Sequence, residues 1–163
     1  MLHPTAVVDP IAEIEPDVIV GPYALIEGPV RIGSGTEIQG HAVITGSVRV
    51  GKNNRIGYGS VVGSLPQDLS FDPGANSGVE IGDNNVLREY CTIHRGTKEG
   101  THTRIGSNNL LMVGAHLGHN ARVGDSVILA NNVLLGGYVE IQDASLSEAE
   151  VSCTSSREWA LFH

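Results

Sequence analysis

Residues 19–50 read IVGPYALIEGPVRIGSGTEIQGHAVITGSVRV, and an aliphatic residue returns at every sixth place: Val20, Ile26, Ile32, Ile38, Ile44 and Val50. Outward from there, the series reaches back through Ile14 and Val8 to Leu2, and on through Ile56 to Val62. It resumes at Ile81, Leu87 and Ile93, fails at Glu99, and runs from Ile105 through Leu111, Leu117, Val123, Leu129 and Leu135 to Ile141. Four places after the aliphatic a small residue is frequent, as at Ala24, Thr36, Ala42, Ser60, Cys91 and Ala115. A period of six fits neither a helix nor a plainly alternating strand. It fits a short strand and a tight corner, with one large and one small inward side chain per unit. Three units close one triangular turn of a parallel β-helix, whose coils stack about 4.8 Å apart. The register positions predict about seven coils and a prism about 30–35 Å long. Asn pairs at 53–54, 84–85, 108–109 and 131–132 suit its corners, since Asn tolerates positive φ and bonds to Asn stacked above it.

Two places break the period. From Val62 to Ile81 the spacing is not a multiple of six, so Ser64 to Val79 is expected to bulge out as a loop. Arg95 to Thr103 loses its inward aliphatic at Glu99 and predicts a smaller excursion. Binding residues concentrate on such loops when the scaffold beneath is rigid. The expected domain layout is a β-helix over 1–143 and a non-repeat tail over 144–163.

Composition narrows the function classes. The chain has 163 residues and a net charge of −8, which argues against a general nucleic-acid binder. No apolar run approaches the roughly 20 residues of a membrane span, and the start lacks a signal-peptide pattern. Two cysteines, Cys91 and Cys153, make no disulfide framework. These features predict a soluble, cytoplasmic protein.

Chemistry concentrates in GAHLGHNARVG, residues 114–124. Neither His116 nor His119 takes a large inward position, so both imidazoles face outward. One coil is 18 residues, which puts His119 beneath the backbone of Gly137, and Asn120 beneath Tyr138. An imidazole beside a backbone N–H is the pair that acyl transfer needs, a base for a hydroxyl proton and a donor for the developing oxyanion. The structural alternative is that Gly137 merely fits a tight corner.

The runs LREYCTIHRGT (87–97) and TRIGSNNLLMVGAHLGHNARVGDSVILANNVLLGGYVEI (103–141) resemble the acyl-ACP–UDP-N-acetylglucosamine O-acyltransferases, which begin lipid A synthesis. HPTAVVDP (3–10), PQDL (66–69) and IGDNN (81–85) fit as well, so the likeness spans Leu2 to about Asp143. It implies an all-β, left-handed parallel β-helix, a hand that the period alone does not give. It also implies a homotrimer with sites between subunits. The implied reaction moves a 3-hydroxyacyl group from acyl carrier protein to the 3-hydroxyl of UDP-N-acetylglucosamine, with no metal or organic cofactor. On this likeness His119 is the general base and Gly137 the oxyanion donor. His116 and His94 lie by the substrate, and Gln67 and Asp68 meet the sugar and acyl chain.

The chain departs from that pattern at three site positions. Asn120 stands where the family usually has Asp, Tyr138 where it has His, and Ser70 where it has Lys. Asn120 can orient the base through its amide oxygen but brings no charge. The inward period also stops after Asp143, where family members continue into further coils and a helical domain. With suitable codons, Ser152 to Trp159 read from the third base of the Ser152 codon give Val-His-Gln-Phe-Thr-Arg-Val-Gly, close to a family run. A one-base frame offset near residue 143 is therefore expected, along with reduced stability and weak turnover. Two other readings stand beside the acyltransferase. One is a zinc enzyme of the γ-carbonic anhydrase type, with His94, His116 and His119 as ligands. The other is a noncatalytic hexapeptide-repeat trimer.

Overall fold

The computed structural model describes residues 1–147 and 152–153. Among these, 22 short strands form three parallel sheets of eight, seven and seven strands, with no helix. The sheets are the faces of a prism. The first holds Val7–Val8, Leu25–Glu27, Val43–Thr45, Val61–Ser64, Thr92–His94, His116–Leu117, Leu134–Leu135 and Ser152–Cys153. The second runs from Glu13–Ile14 to Glu140–Ile141, and the third from Ile19–Val20 to Leu146–Ser147. Successive strands in the chain step from face to face, as a six-residue repeat requires.

The core is the column of inward aliphatics. Ile26, Ile44, Val62, Ile93 and Leu117 are fully buried, with Ala24, Ala42, Ser60, Cys91 and Ala115 filling the corner beside them. A narrow triangular interior admits one bulky and one small side chain per edge, which is why the sequence alternates them. Val8 and Ile14 in the first coil are only partly buried, because no coil lies beneath them.

Of each Asn pair at 53–54, 84–85 and 108–109, the first residue takes positive φ, between 53° and 61°. The second turns inward. Asn85 donates to Asn54 Oδ1 at 3.0 Å, and its own Oδ1 accepts the Asn109 N–H at 2.9 Å. Asn109 Oδ1 continues the column by accepting the Val127 N–H. The pair 131–132 occupies a different corner, where Asn132, the second residue, has the positive φ.

The two breaks resolve differently from expectation. Gly78–Ile81 is a strand paired to Ser47–Val50, so the large loop spans only 65–77 and Val79 is a buried core residue. The extra residues lift the ladder offset here to 31. Glu99 is not a failed core position. The strand His102–Ile105 pairs with Gly78–Ile81 at an offset of 24, so 95–101 leaves the prism altogether. Glu99 instead accepts the Asn76 N–H at 2.8 Å, and Gly100 N–H donates to the Asn76 carbonyl, which ties the two loops together. The ladders also run past the expected boundary at 143. Ser147 pairs with Leu129 and Cys153 with Leu135, each six further along the period. The remainder of the expected frame-offset tail lies outside the described residues.

Candidate active site

Both loops leave the prism at the corner between the first and second faces, and His119, Asn120, Gly137 and Tyr138 occupy that corner one and two coils further on. The stacking read from an 18-residue coil holds: His116 pairs with Leu134, and the Tyr138 N–H donates to the His119 carbonyl at 3.0 Å. The His119 imidazole lies flat against residue 137. A Cβ placed there would fall 2.4 Å from its Cε1 and 2.5 Å from Nε2, so any larger residue would push the ring aside. Gly137 does not have positive φ, whereas Tyr138 does, at 61°. The corner itself therefore makes no demand for glycine at 137, and the imidazole does. Gly137 N–H makes no hydrogen bond to any described residue.

His119 Nδ1 is 3.2 Å from Asn120 Oδ1. That oxygen also accepts the Thr97 N–H at 3.0 Å and the Thr97 hydroxyl at 2.9 Å. Asn120 is buried with φ 60°, and its N–H donates to Thr103 Oγ1 at 2.8 Å. The Tyr138 ring meets His119 edge-on at 5.2 Å, and its hydroxyl is 3.1 Å from Thr97 Oγ1.

His94 and His116 form a second pair, edge to face at 4.8 Å. His94 is 7% exposed, and its pKa is pushed down to about 4, first by burial and then by the charges of His116 and His119. Burial also lowers the His116 pKa, and its Nδ1 is hydrogen-bonded to Thr92 Oγ1 at 2.7 Å. Burial thereby favours the neutral form of both imidazoles, each of which can then both donate and accept a hydrogen bond.

On the large loop, Asp68 is pinned by the Ser70 hydroxyl at 2.7 Å and the Ser70 N–H at 2.9 Å. The Ser70 hydroxyl is the main cause of its lowered pKa, and His119 acts in the same direction, so the loop carboxylate sits within electrostatic reach of His119. Gln67 is exposed beside it. Thus His94, His116, His119 and Asp68 gather at one place, with Asn120, Gly137 and Tyr138 around His119. Among the described residues no three ligating side chains are arranged to hold a metal ion, so the zinc reading finds no ligand set within one chain. Thr97 had no signal in the repeat, because it sits in the excursion rather than at a register position. Arg95 differs: its Nε donates to the Gly63 carbonyl at 2.7 Å and its guanidinium packs on Gly46, down the corner and away from His119.

Residues 11–46 and 102–137 match the family described as bacterial transferase hexapeptide (six repeats). The acyl-[acyl-carrier-protein]–UDP-N-acetylglucosamine O-acyltransferase of Thermodesulfovibrio yellowstonii is 41% identical over 143 residues, which are 87% of this chain and 55% of the relative. A solved structure of LpxA, a UDP-N-acetylglucosamine acyltransferase from Bacteroides fragilis, superposes with a TM-score of 0.70 at 34% identity, covering 91% of this chain and 67% of that one. The chain belongs to the UDP-N-acetylglucosamine acyltransferase family. The LpxA structure from Acinetobacter baumannii agrees more closely, with a TM-score of 0.85 at 47% identity over 89% of this chain and 56% of that one. The prism is accordingly the left-handed β-helix of the UDP-N-acetylglucosamine acyltransferases. The chain spans a little over half the length of the curated relatives it matches.

Proposed function

We propose that this chain carries the acyl-transfer centre of an acyl-ACP–UDP-N-acetylglucosamine O-acyltransferase, acting in the cytoplasm as a homotrimer. The observation that supports the reading is the His119 imidazole packed where a Cβ of residue 137 would stand, beside a Gly137 N–H that makes no hydrogen bond among the described residues. His119 Nε2 takes the proton of the sugar 3-hydroxyl as that oxygen attacks the thioester carbonyl of a 3-hydroxyacyl–acyl carrier protein. The C–O bond forms, and the carbonyl electrons move to an oxyanion held by the Gly137 N–H. Collapse breaks the C–S bond, and the imidazolium returns its proton to the departing carrier thiolate. Gln67 and Asp68 orient the sugar, while neutral His94 and His116 and the Tyr138 ring shape the pocket around it. This step calls for no metal or organic cofactor.

The test is transfer of a 3-hydroxyacyl group to UDP-N-acetylglucosamine by the purified chain, followed by mass spectrometry of the product. His119→Ala should lower the rate by about 10²–10⁴, the typical contribution of a general base. Gly137→Ala should also lower kcat, because its Cβ displaces the ring, while far-ultraviolet circular dichroism stays unchanged. Equal turnover in His119→Ala and wild type would sink the reading.

A further inference from the structure

Thr97, in the 95–101 excursion, is only 9% exposed. Its backbone N–H lies 3.0 Å from one side-chain atom of Asn120, and its hydroxyl lies 2.9 Å from the same atom. A backbone N–H only donates, so that atom is the carboxamide oxygen and not the NH₂. The same oxygen is 3.2 Å from His119 Nδ1. It only accepts, so Nδ1 carries the imidazole proton and Nε2 is left bare. With the Thr97 hydroxyl hydrogen committed to Asn120, the Tyr138 O–H donates to Thr97 Oγ1 across 3.1 Å. Hydrogen bonds therefore run in one direction from Tyr138 through Thr97 to Asn120, where they meet the donor from His119.

We infer that Thr97 is a positioning residue: it holds the uncharged Asn120 amide oxygen-first toward His119 and so sets the tautomer that leaves Nε2 free. A carboxylate at 120 would need no such help, since either of its oxygens accepts. A carboxamide has one right end and one wrong end. Were the amide flipped, its NH₂ would donate to Nδ1, the ring proton would move to Nε2, and the base would be lost. It would also point two donors at each other in a buried spot. An Asp-to-Asn change in a serine-protease triad lowers turnover about 10⁴-fold through the wrong tautomer, with the geometry intact. Here Thr97 joins the two unusual residues, Asn120 and Tyr138, into one network that removes that hazard.

This role rests on the acyl-transfer reading for its purpose, yet its readout needs no turnover. The chain is labelled with ¹⁵N-histidine, and long-range ¹H–¹⁵N spectra report which His119 nitrogen is protonated, with His119→Gln giving the assignment. Wild type is expected to carry the proton on Nδ1. Thr97→Pro removes the N–H and hydroxyl together and should shift the proton to Nε2. Thr97→Pro combined with Asn120→Asp should return it to Nδ1. Where transfer is measured, kcat of Thr97→Pro should fall about 10²-fold, the lower end of a general base's contribution, with KM unchanged. A wild-type ring protonated on Nε2, or a folded Thr97→Pro still protonated on Nδ1 alone, would overturn the inference. If Thr97→Pro does not fold, Thr97→Val takes its place: it keeps the N–H and loses the hydroxyl, so a partial Nε2–H population supports the two-donor hold, and a wild-type ring protonated on Nε2 still overturns the inference. A tautomer that responds in a chain without acyl transfer sinks the function and leaves the positioning role. Intact transfer with an unresponsive tautomer sinks the positioning role alone.

Discussion

His94 shows how one buried imidazole couples the site to stability. Its pKa of about 4 lies below the ordinary 6.5, because burial penalises the cation first and the neighbouring His116 and His119 add to it. Between those two values the unfolded chain binds the extra proton and the folded one does not. Stability is therefore fully present above about pH 6.5 and declines as the pH falls toward about 4. His116, lowered by burial, acts in the same sense. Urea unfolding at several values across that window should show the midpoint dropping on acidification, and His94→Gln should flatten the slope. An equally steep slope in His94→Gln would assign the acid sensitivity to other groups. Gly137 presents the opposite kind of residue, whose whole contribution is the absence of a Cβ in front of the His119 ring.

At the scale of elements, the inward Asn column shows why corners of this prism tolerate polar residues. Asn85 donates to Asn54 Oδ1 and to the Gly106 carbonyl, and accepts from Asn109 N–H. Asn85→Ala strands those buried partners, at about 1–3 kcal/mol for each group left unsatisfied. Its neighbour Asn84 is exposed, its side chain making one hydrogen bond among the described residues, at 3.4 Å to Asn108, and its φ is 56°, which glycine also adopts. Asn84→Gly should therefore stay within about 0.5 kcal/mol of wild type by the same urea titration. Such corners were legible in the sequence because the period places them, and so was the His119–Gly137 stacking, which needs only an 18-residue coil. The loop edges were not. Val79 looks like loop when counted from Val62, because no count from the sequence says where an insertion of arbitrary length rejoins the ladder. Glu99 falls by accident on a multiple of six, and only the observed 24-residue offset shows it to be a tether between loops. Thr97 was illegible for the same reason: a residue outside the register has no position that the period can assign.

On the scale of the whole molecule, the three faces differ in what they turn outward. On the second face the outward residues are Glu13, Arg31, Arg49, Glu80, Arg104, Arg122 and Glu140, in register along the prism. Ion pairs Arg31–Glu13, Arg104–Glu80 and Arg122–Glu140 largely neutralise it from within. Its charges are solvated, and exposed pairs of this kind contribute little to stability. The first face instead presents Val7, Leu25, Val43, Val61 and Leu134, and the third presents Ile19, then the Glu37–Arg55 ion pair, then Val86, Leu110 and Ile128. Val7, Ile19 and Leu134 are at least half exposed. Apolar stretches in register on two adjoining faces are more than scattered surface hydrophobics, and they are the surfaces expected to meet if prisms pack on one another. His116 and Thr92 lie on the first of those stripes, so packing there would also enclose the outward imidazole. Sedimentation velocity should accordingly find a trimer. Val43→Lys on the first face or Leu110→Lys on the third should each shift it toward monomer, because either one buries an unpaired charge in the contact. Arg49→Glu on the second face should leave the sedimentation coefficient unchanged. Dissociation by Arg49→Glu, with Val43→Lys and Leu110→Lys still trimeric, would move the contact to the charged face and leave the apolar stripes without an occupant.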